Sequence, residues 1–151
     1  MATTLSNADQ ITSLNAPTVG PPVLFLLRLE GLAVAAVAAV LYARTGAGWG
    51  LFAALWLAPD LSMLGYLAGP CWGMRAYNGV HTYVSPVTLA LAALLLHAPG
   101  ALPFALIWIN HIGVDRLLGY GLKYPAGFGW THLGGPGGRR SNAMPSGSHP
   151  A

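Results

Sequence analysis

Hydrophobic positions run in four long stretches, about residues 22–43, 49–68, 75–97 and 101–122, and polar positions collect mostly at their ends. As helix, a stretch of about 20 residues is about 30 Å long and matches the hydrocarbon core of a bilayer. The runs do not alternate and are rich in alanine, so helices rather than strands are predicted. The breaks, Thr45-Gly46-Ala47-Gly48, Gly69-Pro70-Cys71 and Pro99-Gly100, are turn chemistry. Short connections make consecutive helices antiparallel neighbours. The expected fold is all-α, an integral membrane four-helix bundle forming one domain. Residues 1–21 carry no Lys or Arg and read as a disordered lead-in rather than a targeting signal. Residues 134–151 read as a disordered Gly/Pro/Ser tail.

Composition narrows the class. Only 7 % of residues are charged, against about 25 % in a soluble domain, and that cannot cover a soluble surface. The single cysteine, Cys71, excludes a disulfide scaffold. The net charge of +3 comes from cations near the ends of apolar runs, a topological pattern that argues against nucleic-acid binding. Arg28, Arg75, Arg116, Lys123, Arg139 and Arg140 fall on the side of the termini, and Arg44 alone falls opposite. The positive-inside rule then places both termini in the cytoplasm. Trp49, Trp56, Trp72, Trp108, Tyr42 and Tyr124 include candidate interface anchors. Gly31, Ala35 and Ala39 form a small-residue stripe that permits close helix approach, within the chain or in a homo-oligomer.

The residues that should not be in such spans carry the functional signal. Glu30, Asp60, Asn78, His81, Asn110, His111 and Asp115 all lie within apolar runs. An ionisable residue there costs about 2.5–3.5 kcal/mol and usually faces the protein interior with a task. With alternating helix direction, all of them fall in the cytoplasmic half of the bilayer, in a layer about 10–15 Å thick. Asn78, His81 and Ser85 share one helix face, and His111 and Asp115 share another. Pro59 and Pro86 remove the helical bonds to the carbonyls of Leu55 and Thr82, and broken membrane helices are tolerated where they line a cavity. One shared pocket open toward the cytoplasm is predicted. Residues 123–133, with Lys123, Tyr124 and His132, form a glycine-punctuated aromatic segment that can fold back as a lid.

The runs at 27–31 (Leu-Arg-Leu-Glu-Gly), 58–66 (Ala-Pro-Asp-Leu-Ser-Met-Leu-Gly-Tyr), 77–83 (Tyr-Asn-Gly-Val-His-Thr-Tyr), 111–125 (His-Ile-Gly-Val-Asp-Arg through Lys-Tyr-Pro) and 131–134 (Thr-His-Leu-Gly) resemble the domain of unknown function 4260 family. The resemblance covers about residues 24–134. It implies a four-span protein of the bacterial cytoplasmic membrane and supplies no activity.

Three chemistries fit these residues. In the first, a membrane-embedded enzyme acts on a lipophilic, isoprenoid-like or lipid substrate by proton transfer, as in terpene cyclisation or isomerisation, and needs no cofactor. Asp60, Asp115, His111, Glu30 and His81 are then the catalytic candidates, since a carboxylic acid in an apolar pocket is a strong local acid. Asn78, Trp56, Tyr66, Tyr77, Tyr83, Asn110, Tyr120, Lys123, Tyr124 and His132 are the substrate-binding candidates, the aromatics by cation–π contact. In the second, His81, His111, Asp60 and Asp115 hold zinc or iron for a hydrolase or oxidoreductase, with Ser62 or a water involved. In the third, the chain is a non-enzymatic transporter or assembly subunit.

Overall fold

The computed structural model describes residues 20–123, 131 and 133. The predicted disordered ends, apart from residues 20 and 21, lie outside the described residues, and so do Tyr124 and His132 of the predicted lid. The described chain is all-α. In order it comprises α1 (Pro21–Arg44), α2 (Trp49–Leu55), a 3₁₀ segment (Ala58–Ala68), α3 (Pro70–Val80), α4 (Val84–Leu95), a short 3₁₀ turn (Pro99–Ala101) and α5 (Leu102–Leu118). Three stretches, Pro21–Arg44, Trp49–Ala68 and Pro99–Leu118, are long and apolar enough to cross a membrane.

The third predicted span is not a continuous helix. It divides into α3 and α4 at residues 81–83, and α3 begins at Pro70, inside the predicted turn. Pro86 has no N–H to offer the Thr82 carbonyl, so the helix cannot run through. The carbonyls freed by the break are met by side chains. Gly79 O accepts from Ser85 Oγ at 2.8 Å, Val80 O from Trp108 Nε1 at 2.8 Å, and His81 O from Arg116 Nη2 at 3.0 Å. An interior helix end is thereby capped by donors from α4 and α5. The second span also changes character: α-helical geometry stops at Leu55 and an eleven-residue 3₁₀ run follows from Ala58, where Pro59 is buried. The last helix ends earlier than predicted because Gly119 turns left-handed at φ 93°.

Packing centres on α5. The helix α1 crosses it antiparallel through glycines: a Cβ on Gly31 would stand 2.8 Å from Gly113 O, and one on Gly113 would stand 2.8 Å from both Ala35 N and Gly31 O. The buried face of α1 is Gly31, Ala35, Ala38 and Tyr42. The predicted small-residue stripe is therefore filled by α5 of the same chain, and a homo-oligomer would have to use another face. Tyr42 is fully buried, packs with Leu106 and Ile107, and gives its hydroxyl to Gly48 O at 2.7 Å. It is a core residue and not an interface anchor. The 3₁₀ segment folds back on α3 across Gly69, with Tyr66 seated on Gly73. This leaves the outward faces apolar, including Leu61, Leu64, Leu67, Leu94 and Leu95.

Candidate functional site

Four side chains from three elements meet where the helices are broken. Asp60 enters on the second residue after the start of the 3₁₀ run, and His81 sits at the C-terminal cap of α3. His111 and Asp115 come from one face of α5, a turn apart. His81 Nε2 is 3.4 Å from Asp60 Oδ1 and 3.6 Å from Asp115 Oδ2. His111 Nε2 is 3.6 Å from each of the same oxygens and 3.4 Å from His81 Nε2. Both imidazoles are almost fully buried, whereas the Asp60 side chain is 40 % exposed and forms the open side.

Hydrogen bonding aims the His81 ring, and packing aims that of His111. The Tyr77 carbonyl can only accept, so the His81 Nδ1–H donates to it at 3.0 Å. In neutral His81 the lone pair then belongs to Nε2, which faces the cluster. The ring also lies flat on Tyr77, with centroids 3.8 Å apart and planes at 10°. Arg116 holds the backbone of the same residue through its carbonyl. His111 is braced edge-on by Trp56 at 5.2 Å, and Trp56 is fixed by donating to Asn110 Oδ1 at 2.9 Å.

This arrangement fits a metal ion. Asp60, His81 and His111 each offer one ligand atom, and the three atoms lie within 4.8 Å of one another. A triangle with sides of 3.4, 3.4 and 3.6 Å has its centre about 2.0 Å from each corner, which is the length of Zn–N and Zn–O bonds. The imidazole nitrogen whose partner atom donates to a backbone carbonyl is also the usual metal ligand. Asp115 stands outside this group of three, beside both imidazoles.

The other predicted residues separate into three groups. Tyr77 and Trp56 orient the histidines, as above. Asn78 and Lys123 are tied together: Asn78 Nδ2 donates to Lys123 O at 2.9 Å and Asn78 Oδ1 accepts from Lys123 N at 2.7 Å. The Lys123 ammonium lies 4.3 Å from the Tyr77 ring centre and 5.5 Å from that of Tyr66. Residue 123 forms an antiparallel bridge with Thr131, and residues 124–130 and 132 of the predicted lid lie outside the described residues. The third group lies away from the cluster. Glu30 lines a separate cavity of about 210 Å³ with Tyr83 and Arg116. Asn110 spends both ends of its amide, donating to Ala35 O at 2.8 Å and accepting from Trp56, so it ties helices together instead of meeting a ligand. Tyr120 is exposed at the end of α5 and offers its carbonyl to Arg116.

Sequence reasoning missed Arg116, counted only toward topology, and Trp108, grouped with the candidate interface anchors. The signal was present in Pro86: a proline that breaks an interior helix frees carbonyls, and nearby donors must answer them. A second cavity-forming set was also missed. Leu55, Ala58, Pro59, Val80, Phe104, Ile107 and Trp108 line a space of about 360 Å³.

The fold defines an all-α protein with three stretches apolar enough to cross a membrane and a His/Asp cluster whose imidazoles are buried. The chain belongs to the domain of unknown function DUF4260 family, whose model matches residues 25–135. No curated protein and no solved structure gives a match.

Proposed function

We propose that this protein is a metal-dependent enzyme of the bacterial cytoplasmic membrane that hydrolyses a lipophilic substrate. The observation that carries the reading is the triangle of Asp60 Oδ1, His81 Nε2 and His111 Nε2, sized for a divalent ion and supplied with a lone pair by the His81 tautomer. Two imidazoles and a carboxylate suit zinc or iron. Such an ion supplies Lewis acidity that polarises a carbonyl and lowers the pKa of water. The chain's own residues do the rest. Asp115 is the general base: it takes the proton of the attacking water as the new C–O bond forms, then passes it to the leaving group as the old bond breaks. Tyr77, Trp56 and Arg116 hold the histidines in place. The cation bias of the sequence supports a multi-pass topology with both termini in the cytoplasm, so Lys123 lies toward that side.

The test is metal analysis of the full chain purified in detergent, beside His81→Ala and His111→Ala. About one zinc or iron per chain is expected, falling to background in both variants while they remain folded and monodisperse. A chain that holds no metal even after zinc supplementation would overturn the reading. Proton transfer by Asp60 and Asp115 on an isoprenoid-like substrate would then take its place.

A further inference from the structure

We infer that the apolar cavity lined by Leu55, Ala58, Pro59, Val80, Phe104 and Trp108 is the subsite for one hydrocarbon tail of the substrate, with the tail's polar end at the His/Asp cluster. This rests on the proposed enzymatic reading for the polar end only. The cavity and the cluster share their walls along the chain. Pro59 precedes Asp60 and Val80 precedes His81, so each pair has Cα atoms about 3.8 Å apart. Ile107, also on the wall, lies one turn, about 6 Å, before His111 on α5. The cavity therefore lies along α5 on the N-terminal side of the cluster, where the sequence is apolar.

Its chemistry commits it to hydrocarbon. Trp108 carries the one polar side-chain atom among these lining residues, and that N–H is consumed by Val80 O at 2.8 Å. Nothing in the wall side chains is left to recognise a hydroxyl, an amide or a charge. A water there would lack the two or more polar partners it needs. The volume of about 360 Å³ falls in the range of small-molecule sites, about 300–1,000 Å³. The break at residues 81–83 serves both sites, because it turns His81 toward the cluster while its neighbour Val80 faces the cavity.

The experiment uses the zinc-loaded full chain in detergent and hexadecanoic acid bearing a diazirine near the tail end, with crosslinks mapped by peptide mass spectrometry. Labelling is expected to saturate, to concentrate on Leu55, Ala58, Val80, Phe104 and Trp108, and to be competed by plain hexadecanoic but not hexanoic acid. The filling variants Ala58→Trp and Val80→Phe should each weaken binding about tenfold, the loss of roughly two buried methylenes, and leave zinc content unchanged. Unsaturable labelling spread over Leu64, Leu67 and Leu94, or filling variants that bind as well as the parent, would overturn the assignment. Zinc measured on the same samples separates the two readings. Saturable cavity labelling in a chain that refuses zinc removes the metal and keeps the tail site, whereas zinc with surface labelling alone does the reverse.

Discussion

The α1–α5 pair and the segment from residue 56 to residue 96 solve the same problem in opposite ways. In the pair, helices of 24 and 17 residues satisfy their own backbones and meet through Gly31 and Gly113. In the segment, the helix is interrupted after Leu55 and again after Val80, and the carbonyls of the second break depend on the side chains of Ser85, Trp108 and Arg116. The site draws on both: His111 and Asp115 come from the regular helix, Asp60 and His81 from the two interruptions. Regular helices give a frame whose positions do not drift, and broken ones let side chains enter from directions a straight helix does not offer. The cost of the second break is offset by two donors carried on the frame, Trp108 and Arg116.

The largest effect should come from breaking the frame. Gly113→Leu forces a side chain into the Gly31 and Ala35 backbone, overpacking worth about 3 kcal/mol or more. The thermal midpoint in detergent should drop sharply, and an unchanged midpoint would show that the two helices do not meet there. Next comes the bond from the frame to the broken half. Arg116→Met strips the donor from His81 O, about 1–3 kcal/mol, and should weaken zinc affinity about tenfold in a chelator competition. Equal affinity in parent and variant would show that Arg116 does not position His81. Asn78→Ala removes two bonds to the Lys123 backbone, about 1–2 kcal/mol in sum, and should speed hydrogen exchange at the Lys123 amide while α5 stays protected.

The smallest expected effect is electrostatic. Burial pushes the Lys123 ammonium below its ordinary 10.5, with Asp115 and Asp60 opposing that shift. The unfolded chain then binds more protons between the lowered folded value and 10.5, so stability should rise with pH across that alkaline window. Lys123→Met should flatten the rise. A slope of the opposite sign in the parent would mean that the carboxylates outweigh the dehydration.

Much of the site was legible in the sequence because charge is so rare in it. Asp60, His81, His111 and Asp115 stood out as ionisable residues at one depth, and the structure brings all four together. Glu30 obeyed the same rule and lies elsewhere, because depth fixes a height in the membrane and not a direction around the helix axis. The frame was legible from the length of its apolar runs. The division of the third span was not read, although polarity rises there through Asn78, His81, Thr82 and Tyr83, because the interruption itself depends on one absent N–H at Pro86. Tyr42 misled for a related reason. An aromatic near a helix end suits a membrane interface, but a backbone carbonyl at Gly48 within reach of its hydroxyl suits burial equally well.

The order in which the chain is synthesised gives the interrupted helix end a temporal meaning. Gly79 O finds its donor six residues later, in α4, but the donors to Val80 O and His81 O sit on the last helix to be made. Until α5 is made, the Val80 and His81 carbonyls lack their donors and His81 lacks its partner imidazole, and the His81 ring rests on Tyr77. The centre thus comes into being in one late step. A product that ends before α5 holds Asp60 and His81 but neither His111 nor Asp115, half of the cluster.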